Sequence, residues 1–267
     1  GVMANMAKMS AFKAQLEIAS NRESKAVMVE QKINKLFHDD AAKSDRYGLH
    51  ASAILSSDNE FCYREQLLSL FYKRDTGKEF DTKLLRIFAQ GTATHIKWQE
   101  MFRKAGWLKC SEYTHFLPEY DLCFTPDMET NWKGEPLFEI KTENTYSFQK
   151  SGNHHAKGEK QLNFYLCLLD IPEGYVLVED KNTQEIKIIT VKKKKEKAEP
   201  FFIRLREIQE MKKLFLSEHE VPRRKSKDAN CKRCMECAMR SACWNIGQGR
   251  IKLPKELRQA TEYKAKD

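Results

Sequence analysis

Asp127, Glu139 and Lys141 are the residues of this chain whose types and spacing best suit hydrolytic chemistry at a metal ion. Asp127 closes Thr125-Pro126-Asp127, and eleven residues separate it from Glu139 of Glu139-Ile140-Lys141. Between them Asn131-Trp132-Lys133-Gly134 is a polar turn containing glycine, which predicts a β-hairpin of residues 120–126 and 136–141. Such a hairpin brings both carboxylates to one end of a sheet. Side chains alternate along a strand, so Glu139 and Lys141 share one face and Ile140 points into the core. Two carboxylates beside an amine suit a hard divalent cation, Mg²⁺ or Mn²⁺, held by oxygen ligands. The ion would polarise a phosphate and acidify a bound water, while Lys141 orients that water or stabilises developing charge. The plainer alternative is an exposed hairpin with ordinary surface charges, since Asp…Glu-x-Lys arises easily by chance.

Other residues point the same way. His95, in Gly91-Thr92-Ala93-Thr94-His95, stands on a predicted helix where it can supply a nitrogen ligand and Gly91 permits close packing. Gln161 and Tyr165 are four residues apart on a later predicted helix and share a face. Cys231, Cys234, Cys237 and Cys243 crowd together, a density that suits metal ligation better than disulfides. Cys110, Cys123 and Cys167 lie in apolar surroundings and read as small core residues.

The elements that must position these groups follow from periodicity. Residues 61–74 form an amphipathic helix preceded by capping residues, and a second helix spans 82–104 ahead of Gly106. After the hairpin come a helix at 157–169, strands at 175–178 and 185–191, and a helix at 200–216. Residues 4–45 are polar and helix-prone without firm periodicity, as one or two peripheral helices or a partly mobile arm. The order of elements predicts an α/β architecture around a mixed sheet. The expected divisions are a helical segment at 1–47, a core at 48–220 and a basic cysteine-rich module at 221–267.

The order Gly91/His95, Pro126-Asp127, Glu139-x-Lys141 and Gln161-x-x-x-Tyr165 resembles the RecB-like branch of the PD-(D/E)XK nucleases. The resemblance spans about residues 48–245 and implies a restriction-endonuclease-like core. It implies that His95, Asp127, Glu139 and the Ile140 carbonyl bind metal, that Lys141 is catalytic, and that Gln161 and Tyr165 organise the site or contact DNA. Many RecB-like members carry a glycine shortly before the aspartate; Phe124 and Thr125 stand there instead. The cysteines resemble the iron–sulfur module of CRISPR-associated RecB-like exonucleases and AddAB-type nuclease domains. That likeness adds the upstream Cys62-Tyr63-Arg64 and implies a [4Fe–4S] cluster on Cys62, Cys234, Cys237 and Cys243. The alternative is a local zinc site of Cys231, Cys234, Cys237 and Cys243.

Composition narrows the function classes. The chain has 267 residues, 32% of them charged, and no apolar run of membrane-spanning length. Its start lacks a secretory pattern, Gly1-Val2-Met3 reads as a cleavage scar, and the cysteine usage fits a reducing compartment, so a cytoplasmic location in a bacterial, archaeal or phage-infected cell is expected. Net charge is +9, and residues 221–267 hold 13 Lys+Arg against 5 Asp+Glu, which points to nucleic acid as partner. No phosphate-loop motif is present, so ATP hydrolysis is not expected. The reading is a metal-dependent DNA exonuclease acting on single strands or strand ends in recombination, repair or CRISPR adaptation. Partners expected are DNA, a helicase, recombination or CRISPR adaptation protein, and a second copy or other protein docking through residues 4–45. Trp132 and Tyr146 are candidates for stacking on bases, with structural roles as the alternative. The competing reading is a catalytically inactive nucleic-acid-binding module with the zinc site, against which the intact Asp127, Glu139 and Lys141 argue.

Overall fold

The computed structural model describes residues 2–40, 48–75 and 81–251. The chain divides into two compact units. In the smaller, α1 (Val2–Asp40) is one continuous helix. It stands with the start of α4 (Thr82–Lys104), where Arg86 donates to Asn34 Oδ1 at 2.8 Å.

The larger unit is built on a mixed five-stranded sheet. Its order is β2 (Leu108–Ser111), β5 (Met128–Thr130), β6 (Leu137–Glu143), β7 (Glu173–Asp180) and β8 (Ile186–Lys192). All neighbours are antiparallel except β6 and β7. A parallel pair needs a crossover, and α5 (Thr145–Lys150) with α6 (Ala156–Leu169) supplies it. The two central strands are apolar on both faces, as their position requires. Phe138, Ile140 and Leu177 pack with Phe102 of α4, whereas Leu137, Val176 and Val178 join the core containing Leu162 and Phe164 of α6 and Leu205 of α7 (Lys195–Glu218). Trp132 lies with Phe102 and Phe138, ring centroids 6.0 and 5.5 Å away, so its role here is packing; Tyr146 is 71% exposed.

The hairpin differs from expectation. Residues 122–124 form β4, which leaves the central sheet for a small one of order β1 (Leu49–His50), β4, β3 (His115–Leu117). The partner of β6 is β5, one step further along. Pro126 lacks the N–H needed to carry a ladder onward, and the chain changes sheets at Thr125-Pro126-Asp127. The last long helix also begins earlier than its apolar pattern suggests. It starts at Lys195 and contains Pro200, because the preceding Lys, Glu and Ala residues are strong helix formers.

A short helix, α2 (Ala51–Ile54), follows β1, and α3 (Tyr63–Phe71) packs against α7. The C-terminal module is bracketed by β9 (Glu220–Val221) and β10 (Gly249–Arg250), an antiparallel pair enclosing α8 (Lys232–Met235) and α9 (Arg240–Asn245). Arg64 of α3 ties it to the core. Only 1% exposed, Arg64 donates to the carbonyls of Pro222, Cys243 and Gly247 at 2.7, 2.8 and 2.9 Å. Hydrogen bonds from a charged donor contribute about 1.5–3 kcal/mol each, so this one side chain is a strong fastening. No described helix is long and apolar enough to cross a membrane.

Candidate active site and cysteine pocket

The step between the two sheets places Asp127 beside β6, where its side chain does the work of a missing strand. Asp127 Oδ2 accepts the Ile140 N–H at 2.6 Å, satisfying a backbone donor that β5 no longer reaches. The other oxygen, Oδ1, faces His95 Nδ1 of α4 at 3.4 Å. Glu139 is 2% exposed; its Oε1 accepts from Lys141 Nζ at 2.7 Å, while Oε2 is buried without a hydrogen-bond partner. Alternation along β6 therefore places Glu139 and Lys141 as expected, with Ile140 in the core on the opposite face.

Helix α6 completes the arrangement. Lys141 Nζ also donates to Gln161 Oε1 at 3.1 Å, and Gln161 Nε2 donates to the Tyr165 hydroxyl at 3.0 Å. The i,i+4 pair thus acts on one line with Lys141. Helix and strand approach closely at Gly158, where a Cβ would meet His155 Nδ1 at 2.9 Å and Val176 Cγ1 at 3.0 Å. Gly91 has open space where its Cβ would lie, so close packing does not require a glycine there.

Sequence reasoning missed Glu112 and Gln99. Glu112 follows β2 in a left-handed conformation, φ 50°, and its N–H donates to the Asp127 carbonyl at 3.2 Å. Its Oε1 lies 3.5 Å from His95 Nδ1 and accepts from Gln99 Nε2 at 2.8 Å. His95, Glu112 and Asp127 offer ligand atoms all within 4.8 Å of one another, in a cleft also lined by Thr92, Ile96 and Gln99. The only sequence signal for Glu112 was an acid after a four-residue strand, and that strand was too short to recognise.

The charges are unbalanced. Burial, and then the neighbouring Asp127, push the Glu139 carboxyl up to about 8. Burial likewise raises Asp127, with His95 opposing it. The Glu112 contact raises His95 against its own desolvation. The donors are hard oxygens plus one imidazole, and a buried carboxylate oxygen lacks a partner; these residues fit a divalent cation.

Four of the five C-terminal and upstream cysteines line one space. Cys62, Cys234, Cys237 and Cys243 line one pocket together with Arg224, Lys225, Arg233 and Arg240. Cys231 holds the N-cap position of α8 beside that space, its thiol hydrogen-bonded with Cys234 and with Ser226 of the lining. Arg64 Nε lies 3.1 Å from Cys243 Sγ, and Arg233 donates to the Glu60 carbonyl and to Glu65 Oε2 at 2.9 and 2.6 Å. Burial, followed by the charge of Glu65, pushes the Cys237 thiol up to about 12. Four cysteines around one space would hold a cationic metal ion or cluster core as thiolates, and the Arg and Lys side chains beside them, with Glu65 also in the lining, would balance the net negative charge. Of the remaining cysteines Cys123 is buried, but Cys110 and Cys167 are half-buried, and Cys110 donates to Glu129 Oε2 at 2.9 Å.

No family model and no curated protein matches the chain. Among solved structures it is similar to an alkaline exonuclease, LHK-Exo, from Laribacter hongkongensis, at 14% identity, covering 64% of this chain and 93% of that one, with a TM-score of 0.44. LHK-Exo in complex with dAMP matches at 14% identity, 62% and 88% coverage and TM-score 0.46. A phage-related exonuclease from Haemophilus somnus 129PT matches at 13% identity, 70% and 100% coverage and TM-score 0.43.

The raised carboxyl makes a testable statement about stability. Folded Glu139 keeps its proton through a pH range in which the unfolded chain has lost it. Its contribution is therefore full below about 4.5 and lost as pH rises through about 8. Asp127 and His95 shift the same way. The melting temperature of the metal-free protein should fall across that window, and Glu139→Gln should flatten the fall. Thermal denaturation in a pH series checks this; equal slopes for both proteins would refute it.

Proposed function

We propose that this protein is a divalent-metal-dependent deoxyribonuclease that hydrolyses phosphodiester bonds at strand ends or in single strands, within a RecB-like PD-(D/E)XK frame. One observation carries the reading: Glu139 Oε2 is buried without a partner beside Asp127, and Lys141 stands on the same strand. His95, Asp127, Glu139 and the Ile140 carbonyl would hold Mg²⁺ or Mn²⁺. A cation bound there supplies Lewis-acid activation of the phosphodiester and of a water. Lys141 is positioned by Glu139 and Gln161 to donate to that water or to meet developing negative charge. Tyr165 braces Gln161 from the next turn of α6.

The sequence and the pocket support a division of labour. Residues 48–220 form the nuclease core, and residues 221–267 add a basic module that tracks the DNA backbone. Residues 1–47 serve for docking to a partner or second copy in the cytoplasm. A [4Fe–4S] cluster on Cys62, Cys234, Cys237 and Cys243 fastens the module to α3, a choice supported by their shared pocket and by the presence of the distant Cys62 in it.

Two experiments test these statements. End-labelled single- and double-stranded DNA should be cleaved with Mn²⁺, and Lys141→Ala and Asp127→Ala should lower the rate by about 100-fold or more with DNA binding retained. Tight binding without cleavage by the unaltered protein would overturn the enzyme. Anaerobically purified protein should contain iron and acid-labile sulfide, lost in Cys62→Ser and kept in Cys231→Ser. Zinc bound in their place, and lost in Cys231→Ser, would replace the cluster with a zinc site.

A further inference from the structure

Glu112 belongs to no motif of the chain, yet its carboxylate stands where a ligand would. Asp127 commits Oδ2 to the Ile140 N–H and turns Oδ1 toward His95. Glu112 Oε1 lies 3.5 Å from the same imidazole nitrogen, against 3.4 Å for Asp127 Oδ1. Neither distance is that of a good hydrogen bond. Adjacent ligands of an octahedral ion with bonds of about 2.1 Å stand about 3 Å apart, so a modest contraction around a cation would draw the three atoms into place. Gln99 braces the group: one amide donates to Glu112 Oε1 at 2.8 Å and lies 3.2 Å from the Asp127 carbonyl. An independent sign of a missing ligand comes from Glu139, only 2% exposed, whose Oε2 lacks a partner.

We infer that Glu112 is a direct ligand, with His95 Nδ1 and Asp127 Oδ1, of a divalent cation at this site. The inference rests on the metal-dependent reading above. It adds a carboxylate from the residue that follows β2. One imidazole and two carboxylates suit Mn²⁺, which accepts a nitrogen ligand more readily than Mg²⁺ does.

A role limited to orienting His95 would look alike in a single variant, so the test removes His95 as well. Mn²⁺ is titrated calorimetrically into the DNA-free protein and into Glu112→Gln, His95→Ala and the double variant. The amide keeps the bulk of Glu112 and an acceptor for Gln99, and melting curves verify folding. The expected result is a loss of Mn²⁺ affinity of about tenfold or more on Glu112→Gln, repeated in the His95→Ala background. Unchanged affinity, or a loss that vanishes once His95 is gone, would overturn the assignment. DNA cleavage by the unaltered protein tests the underlying reading separately. If that protein cleaves while Glu112→Gln binds Mn²⁺ normally, only Glu112 is dismissed; if it neither binds Mn²⁺ nor cleaves, both readings fall.

Discussion

The hydrogen bond from the Ile140 amide to Asp127 is the constraint around which the site is arranged. β5 ends its ladder with β6 at the pair Met128 and Phe138, so the next donor on β6 has no strand opposite. Asp127 supplies the acceptor from a side chain and is thereby fixed at the step between two sheets. Fixing one oxygen leaves the other aimed at His95, and the same strand presents Glu139 and Lys141 on its opposite face. A buried backbone donor is costly to leave unpaired, so geometry and stability are served by one contact.

That arrangement concentrates carboxylates where water is scarce. Lys141 answers one oxygen of Glu139 and leaves the second without a partner, while the exposed Glu112 stands 3.5 Å from His95 at the edge of the site. Without a cation, the folded protein relieves the repulsion by keeping a proton on Glu139. The cysteine pocket shows the converse, with thiols surrounded by Arg and Lys side chains and Arg64 reaching both the sulfur and the carbonyl of Cys243. The first centre thus lacks positive charge that a cation would supply, and the second sets beside four potential thiolate ligands the cations that would balance them.

Much of the site was legible in the sequence because its parts obey local periodicities. Alternation placed Glu139 and Lys141 together, and the helical repeat placed Gln161 and Tyr165 on one side of α6. The pairing of strands was less legible. β1, β3 and β4 have two or three residues each, and Leu49 pairs with Leu122 across a long separation, so no periodicity could reveal the small sheet. Glu112 and Arg64 are functional or structural through tertiary contacts with His95 and with the C-terminal carbonyls. Those contacts exist only once distant segments meet, and no residue spacing encodes them.

The central claim is that a buried, protonated carboxyl gives way to a cation. Counting protons released when Mn²⁺ binds tests it most directly, by calorimetry near neutral pH in buffers of different ionisation enthalpy. With Glu139 held at about 8, binding should release close to one proton from it in addition to those from His95 and Asp127, and the total should fall by about one in Glu139→Gln. Binding without proton release, or with the same release in that variant, would contradict the account.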